Sequence, residues 1–440
     1  MVAGGGEALF MKRVFLLLPL LVFPVLSARE MPAMPEALSA YVLTPGPKAE
    51  GLVLKKGDRL AICGDSITEQ KMYSVLLESY LVACLPELEI TSRQYGWSGE
   101  QAGGFLGRMK NDVLRFKPTV ATTCYGMNDF RYVPFDAGIA AEYRKNITAM
   151  VDAFQEVGTR LVLGSPGIID SVPHWVKSAQ GTQQDLNLSL SKFRNIVVEV
   201  AKAEGAGFAD LYQPMLLADH AGKAKYGADF KVAGKDGVHP GWAGQLIMAY
   251  GFLKGLGVDG DLGTITYDAS KDAAQAVNGH EVVSAADGVI TLKSVRLPFS
   301  VGTGAVDKDD SIRAGMALVP FDDELNRLMF RMVSPKAEVY AVTWGDETRE
   351  YAAKDLVRGI NLAKDFENHA LRAAFDQVRE AVLRKQAFET KQIKEMVHGK
   401  AGREDMEGTF AGTEKEREPL AAAVYQKRPP VEHVIRVVAK

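Results

Sequence analysis

From Arg59 onward, short apolar runs alternate with longer stretches of helical periodicity, and this alternation is the strongest constraint on the fold. Runs typical of buried strands lie at 59–63, 88–91, 119–125, 160–163 and 207–211. Stretches with the apolar spacing of helices lie between and after them, at 72–85, 102–116, 137–157, 183–203 and 242–256. The alternation predicts an α/β domain at 57–258, with a parallel sheet covered by helices on both faces.

Polar and glycine-rich loops follow the first three strands, and a fourth such loop lies just before the last helix. Right-handed crossovers bring the carboxyl ends of parallel strands to one edge of the sheet, where such sheets bind ligands. We therefore expect the four loops to lie close together: Gly64-Asp65-Ser66, Tyr95-Gly96-Trp97-Ser98-Gly99, Gly126-Met127-Asn128-Asp129 and Asp236-Gly237-Val238-His239-Pro240.

The residues of these loops can build a site for acyl transfer. Ser66 follows the first strand at a turn into a helix, which exposes its hydroxyl as a candidate nucleophile. His239 can accept the serine proton and return it to the leaving group. Asp236, three residues earlier, can orient the imidazole and stabilise its charged form. The sequence thus predicts Ser66, His239 and Asp236 as catalytic residues.

The same loops supply hydrogen-bond donors for a developing oxyanion. The backbone N–H groups of Ser66 and Gly99 and the side-chain amide of Asn128 are the candidates. We expect glycine at position 99 because a side chain there would crowd the acyl group. Each motif alone is common in ordinary turns and caps, but the four together, each after the expected element, indicate a hydrolytic site.

The ordered motifs resemble those of the GDSL/SGNH hydrolases, a superfamily of serine esterases and lipases. The family is named for serine, glycine, asparagine and histidine in four blocks, which match Ser66, Gly99, Asn128 and His239. The resemblance covers about residues 57–257. It implies a flavodoxin-like αβα fold, hydrolysis of esters or thioesters, and no metal. Here Gly-Asp-Ser continues as Ile67-Thr68 where the eponymous motif has leucine, a common variation in the family.

Other candidate residues have weaker support. Trp97 and Trp242 flank the motifs and either line a sugar-binding face or pack in the core, while His174 is a possible substrate contact or an ordinary loop histidine. Asp170 is expected to cap a helix. No Gly-x-Ser-x-Gly or His-Glu-x-x-His motif occurs, so the sequence predicts neither a standard α/β-hydrolase elbow nor a metal or other cofactor.

The remainder of the chain carries no recognisable chemistry. Residues 29–56 read as a lead-in segment and 262–360 as a β-rich accessory region, with predicted hairpins around Asp287-Gly288 and Ser334-Pro335-Lys336. Residues 361–440 are predicted as a helical C-terminal extension and tail. Within it, 363–397 are helical, with an apolar stripe expected to pack on the rest of the chain, and 399–419 form a mobile loop.

The N-terminal segment predicts export. Lys12-Arg13 precede thirteen apolar residues, Val14 to Leu26, and then Ser27-Ala28, the order of a secretory signal peptide. Either Met1 or Met11 can be the start, and cleavage follows Ser27 or Ala28. We therefore expect residues 1–28 to be removed and the mature protein to be periplasmic or extracellular.

The composition limits the partners. A formal net charge of −3 gives no basic surplus for nucleic acid, and the apolar N-terminal stretch is too short for a stable membrane span. Three cysteines, Cys63, Cys84 and Cys124, are too few for a disulfide scaffold and are expected to be buried and free. The oligomeric state is left open.

The expected substrate is a polar ester met outside the cell interior. O-acetylated carbohydrate suits a soluble acidic chain with a β-rich accessory region, and a lipase or lysophospholipase is the alternative. A non-catalytic glycan-binding protein on the same fold is a second alternative, against which the complete set of Ser66, His239 and Asp236 argues. The aromatic side chains that could serve such binding, or form the core of the β-rich region, are Phe299, Phe321, Tyr340 and Trp344.

Overall fold

The computed structural model describes residues 33–176, 181–302 and 304–440. The predicted signal peptide at 1–28 lies outside these ranges. Within them, no helix has the length and apolar character needed to cross a membrane. Cys63, Cys84 and Cys124 are buried and free, as predicted.

A five-stranded parallel sheet forms the centre of the α/β domain, as the alternation of runs predicted. Its strands are β1 (Arg59–Gly64), β2 (Thr91–Gly96), β3 (Val120–Cys124), β4 (Arg160–Gly164) and β5 (Gly207–Ala209). Their order across the sheet is β2-β1-β3-β4-β5, with every neighbouring pair parallel. The first strand therefore lies between β2 and β3, and the loops after these three strands share one edge.

Among the described residues of this domain, the α-helices are α1 (Ser66–Glu69), α2 (Tyr73–Ala83), α3 (Ala102–Asp112), α4 (Ala137–Glu156), α5 (Gln183–Glu204), α6 (Tyr212–Tyr226) and α7 (Trp242–Gly255). Five match predicted helical stretches. The sequence prediction missed α6, whose first turn contains Pro214 and whose charged C-terminal half gives no clear apolar stripe.

The second strand was predicted in the wrong place. The run at 88–91 begins inside a short 3₁₀ turn, Pro86–Leu88, and the strand itself begins at Thr91. Its sequence, Thr-Ser-Arg-Gln-Tyr-Gly, lacks an apolar run because polar groups of the C-terminal extension cover this edge strand. For example, the buried Lys385 donates a hydrogen bond to the carbonyl of Ser92 at 2.8 Å.

Two further sheets follow the α/β domain. Their strands are β6 (Asp261–Asp268), β7 (Ala273–Ala276), β8 (His280–Ala286), β9 (Val289–Ser294), β10 (Arg327–Val333), β11 (Val339–Trp344), β12 (Glu347–Ala352), β13 (Ile360–Asn361) and β14 (Val431–Ala439). One sheet has the order β13-β10-β6-β7 and the other β12-β11-β14-β9-β8. Short helices connect them: α8 (Ile312–Leu318), α9 (Phe321–Glu324), α10 (Ala353–Arg358) and α11 (Leu362–Asp365).

The hairpin around Asp287-Gly288 is confirmed, but the one around Ser334-Pro335-Lys336 is wrong. Strand β10 pairs with β6, while β11 pairs with β12 and β14 in the other sheet. The connection after Val333 therefore carries the chain from one sheet to the other. The true partner of β11 was missed because β12 is an edge strand of exposed charged residues, without an alternating apolar pattern.

The predicted mobile loop at 399–419 is helical instead. The C-terminal extension contains α12 (Arg372–Lys391), a π-helix (Gln392–Val397), α13 (Lys400–Glu404) and α14 (Met406–Tyr425). The predicted helix at 363–397 is also interrupted, between Asp365 and Arg372. The charged residues of α14 suggested a loop, but in the structure they form ion pairs. Arg417, for example, lies 2.6 Å from Glu389.

A buried polar network docks the C-terminal extension on the α/β domain. Lys385 of α12 lies 3.1 Å from Glu78 of α2 and 2.8 Å from Glu389, and all three side chains are almost wholly buried. Gln386 donates to Glu78, and Tyr425 of α14 donates to the same carboxylate at 2.5 Å. Because a buried charge without a partner is costly, this network fixes how α12 sits on the domain.

The β-rich region shares one hydrophobic core with the α/β domain and the C-terminal extension. Phe299, Phe321, Tyr340 and Trp344 are all buried, which confirms packing and rules out these rings as an exposed glycan platform. The Trp344 indole stacks on His369 at 4.4 Å and donates to Nδ1 of His433 at 3.0 Å. Because Nδ1 of His433 accepts, its Nε2 donates to Ser294, which in turn donates to His280. This chain of bonds needs neutral histidines.

We predict that the β-rich region loses stability in mild acid. Burial, together with the nearby His280, lowers the pKa of His433 to about 4, whereas an unfolded histidine has a value near 6.5. Protons then favour the unfolded state as the pH falls from about 6.5 to 4, at a cost of about 3 kcal/mol. Urea unfolding at pH 7.5 and 5, followed by tryptophan fluorescence, measures the loss. His433→Gln should reduce the pH dependence, and the remainder should come from His369 and His280, whose pKa values are also lowered by burial. An unchanged dependence in that variant would contradict the assignment.

Candidate active site

Ser66 is the first residue of α1, at the point where β1 turns into the helix. Asp65 caps α1 by accepting a hydrogen bond from Ile67 N–H at 2.9 Å, and burial raises the pKa of this carboxyl to about 7. The helix packs directly on the end of β2, where a Cβ atom at Gly96 would lie 2.3 Å from the backbone nitrogen of Glu69. This close approach leaves the half-buried Ser66 hydroxyl at the edge of the sheet.

Ser66, His239 and Asp236 form a continuous hydrogen-bonded chain. His239 Nε2 lies 2.8 Å from Ser66 Oγ, and its Nδ1 lies 2.8 Å from Asp236 Oδ2. The other carboxylate oxygen accepts from the backbone N–H groups of Val238 and His239, both at 2.9 Å. Partial burial opposes ionisation, but these hydrogen bonds outweigh it and lower the pKa of Asp236. The ionised carboxylate holds Nδ1 protonated, so Nε2 can take the serine proton.

Hydrogen bonds from two other segments, at Asp170 and Asp309, hold the loop that carries His239 in place. Asp170, after β4, accepts from Ala233 N–H at 2.6 Å, and its own N–H donates to Gly237 at 2.9 Å. It was expected to cap a helix, but it holds this loop instead. Asp309, from the β-rich region, accepts from Lys231 N–H through its side chain and from Ala243 N–H through its carbonyl. Neither contact could be inferred from motif spacing.

The three predicted oxyanion donors follow the neighbouring strands β1, β2 and β3. Gly99 has φ +73°, a left-handed conformation that favours glycine, and a Cβ there would meet nothing within 4 Å. The backbone conformation by itself therefore favours glycine at position 99. The Asn128 amide donates to the Glu100 carbonyl at 3.1 Å, and this bond orients its nitrogen. Asp129 fixes the loop by accepting from Ala102 N–H and Gly126 N–H.

The aromatic candidates differ in their surroundings. The Trp97 ring is half-buried and contacts His398, Lys394 and Arg108, which favours a packing role. Trp242 is half-buried at the start of α7 and packs against the core. His174 is exposed, and its ring meets the edge of Trp175.

Trp175 was missed by the sequence analysis. Its ring centroid lies 5.7 Å from that of His239, and 40% of the residue is exposed. An exposed indole beside the histidine offers a flat apolar surface at the entrance to the site. The only signal in the sequence was its position in the loop after β4, next to His174.

Over the described ranges, no group of three or more histidine, cysteine or acidic side chains is arranged to hold a metal ion.

Comparison with known proteins identifies the domain that carries this site. Residues 62–247 match the model of the GDSL-like Lipase/Acylhydrolase family. This confirms the resemblance drawn from the four motifs. The segment is a GDSL-like lipase/acylhydrolase domain, and this match supports ester hydrolysis as the activity of the domain.

Two individual proteins are similar to the chain over different lengths. An acetylxylan esterase from Geobacillus stearothermophilus is 26% identical over 223 residues, which are 46% of this chain and 95% of that protein. A solved gut microbial diltiazem-metabolizing enzyme aligns with 90% of this chain and 100% of its own, with a TM-score of 0.68 and 22% identity. The second likeness shows that the fold extends beyond the acylhydrolase domain into the C-terminal half of the chain.

We predict that Asn128→Ala lowers kcat roughly 10²–10³-fold, the cost of removing one oxyanion donor. The loss should fall on kcat rather than KM, because the donor acts on charge that develops in the transition state. Steady-state hydrolysis of p-nitrophenyl acetate measures both constants. A tenfold effect or less would contradict the assignment of the Asn128 amide.

Proposed function

We propose that this chain is an exported serine esterase that removes O-acyl groups, in particular O-acetyl groups, from carbohydrate. The observation that carries the proposal is the hydrogen-bonded chain from Ser66 through His239 to Asp236, with 2.8 Å at each step. The family match supports ester hydrolysis, and similarity to an acetylxylan esterase supports an acetylated sugar substrate. The signal-like N-terminal segment supports action outside the cytoplasm.

In the proposed reaction, Ser66 Oγ attacks the ester carbonyl while His239 Nε2 takes its proton. The oxyanion is held by the N–H groups of Ser66 and Gly99 and by the Asn128 amide. His239 then gives the proton to the departing sugar hydroxyl, which leaves an acyl group on Ser66. A water molecule, deprotonated by His239, releases the acid and restores the serine. Asp236 stabilises the imidazolium in both halves.

Trp175 supports a carbohydrate as the alcohol part of the ester. Its indole adjoins His239, the group that protonates the leaving alcohol, so a ring bound there lies on the leaving-group side. Sugar rings present apolar C–H faces that pack on aromatic side chains, and binding sites use such surfaces with a few polar groups.

The nucleophile is tested by Ser66→Ala, which we expect to lower kcat by a factor on the order of 10³ or more. Mature protein, starting at residue 29, is assayed by acid release from acetylated xylo-oligosaccharides, a lysophospholipid and p-nitrophenyl acetate. Ser284→Ala, an exposed serine on β8, is the matched control and should leave the rates unchanged. Activity that survives in Ser66→Ala would overturn the mechanism, and preferred release of fatty acid would favour the lipase alternative.

We expect Trp175→Ala to raise KM for an acetylated xylo-oligosaccharide about tenfold, as the loss of roughly 1.4 kcal/mol of stacking requires. The KM for p-nitrophenyl acetate should change less than about threefold, which is the variation expected between unrelated surface variants. Trp175→Phe keeps a flat ring and should recover part of the affinity. Equal losses on both substrates would show that the indole holds His239 in place instead of binding sugar.

A further inference from the structure

We infer that Lys394, in the C-terminal extension, is a positioning residue for the oxyanion hole of the acylhydrolase domain. It acts through Glu69 and Ser98 on the backbone N–H of Gly99. The inference rests on the proposed function, because it assigns Gly99 as an oxyanion donor. It gives part of the C-terminal extension, for which the sequence indicated no chemistry, a place in the reaction.

Glu69 ties the nucleophile helix to the loop that carries Gly99. It is the last residue of α1, three positions after Ser66, and its Oε2 accepts from both the backbone N–H of Ser98, at 2.5 Å, and the Ser98 hydroxyl, at 2.6 Å. These two bonds fix the Trp97–Ser98 peptide and the Ser98 side chain, one residue before the N–H of Gly99. The two proposed donors Ser66 and Gly99 are thereby held in one local unit.

Lys394 holds that carboxylate from the other side. Its Nζ lies 2.7 Å from Oε1 and 2.8 Å from Oε2 of Glu69, although the two residues are 325 positions apart in the chain. Partial burial would raise the pKa of Glu69, but the bonds from Lys394 and Ser98 outweigh it and lower the pKa. Lys394 therefore keeps Glu69 charged and fixed as the acceptor for Ser98.

The backbone around Lys394 is rigidly placed. The π-helix that contains it continues α12 without a break, and α12 is docked through the buried Lys385 and Glu78 pair. One turn later, His398 donates to Asp112 of α3 at 2.8 Å and packs against the edge of Trp97. The extension thus contacts both flanks of the loop at 97–100.

The loop is fixed independently at its far end. Arg108 donates to both carboxylate oxygens of Glu100 at 2.6 Å, and Tyr125 also donates to Glu100 at 2.9 Å. Loss of Lys394 should therefore leave the loop in place overall while loosening the peptide between Ser98 and Gly99. Such a displacement weakens transition-state stabilisation more than substrate binding, so kcat should fall and KM should stay.

The test compares four variants of the mature protein: Lys394→Ala, Lys394→Arg, Glu69→Gln and the double variant Lys394→Ala/Glu69→Gln. Lys391→Ala removes an exposed lysine three residues earlier and is the matched control. We expect Lys394→Ala to lower kcat for p-nitrophenyl acetate about 10- to 100-fold with KM within about twofold. Lys394→Arg should restore most of kcat, and Lys391→Ala should match the wild type.

The double variant distinguishes an effect of Lys394 that passes through Glu69 from independent effects of the two residues on kcat. If Lys394 acts through Glu69, the double variant should be no slower than the slower single variant. Multiplied losses, an unchanged kcat in Lys394→Ala, or a fall in kcat that occurs only with a lower melting temperature would each overturn the inference. Wild-type protein that hydrolyses the ester through Ser66 in these same assays shows that the serine-esterase part of the proposed function stands. Hydrolysis that does not depend on Ser66 would overturn both.

Discussion

The hydrogen bond between His239 and Ser66 joins two segments 173 residues apart, and the arrangement of the acylhydrolase domain depends on holding them within 2.8 Å. Neither residue can be placed by local structure alone, because one follows the first strand of the sheet and the other precedes its last helix. Because the strands are parallel and joined by right-handed crossovers, the loops that follow them all lie at the same edge of the sheet. The family motifs are the residues found where those loops meet.

The parts of the chain outside that domain hold its loops in place. Asp309, from the β-rich region, fixes the loop of His239, while Lys394, from the C-terminal extension, fixes Glu69 beside the nucleophile. The proposed base and the proposed oxyanion donors are thus supported by two separate segments that both follow the acylhydrolase domain in the chain. Because catalysis is sensitive to small displacements of the reacting groups, the β-rich region and the C-terminal extension have a physical role in holding the loops of the αβα domain.

Much of the α/β domain could be predicted because its strands are buried and apolar, and the chemistry follows their ends. Prediction failed where polar residues are paired inside the structure. Strand β2 is polar because it bonds to Lys385, Glu389 and Arg417, and α14 is charged because residues such as its Arg417 pair with α12 at Glu389. Such pairing cannot be inferred from one segment alone. Trp175 and Lys394 were missed for the same reason: their partners are distant in the chain.

The position of β14 constrains the order in which the molecule can assemble during synthesis. All five strands of the parallel sheet have been made by Ala209, so the α/β domain can begin to fold early. The antiparallel sheet cannot, because β14 lies between β9 and β11, and its His433 joins a partner 139 residues earlier. Until β14 is made, β9 and β11 present unpaired edges that invite mispairing. A nascent chain therefore passes through a stage in which this half needs protection from aggregation.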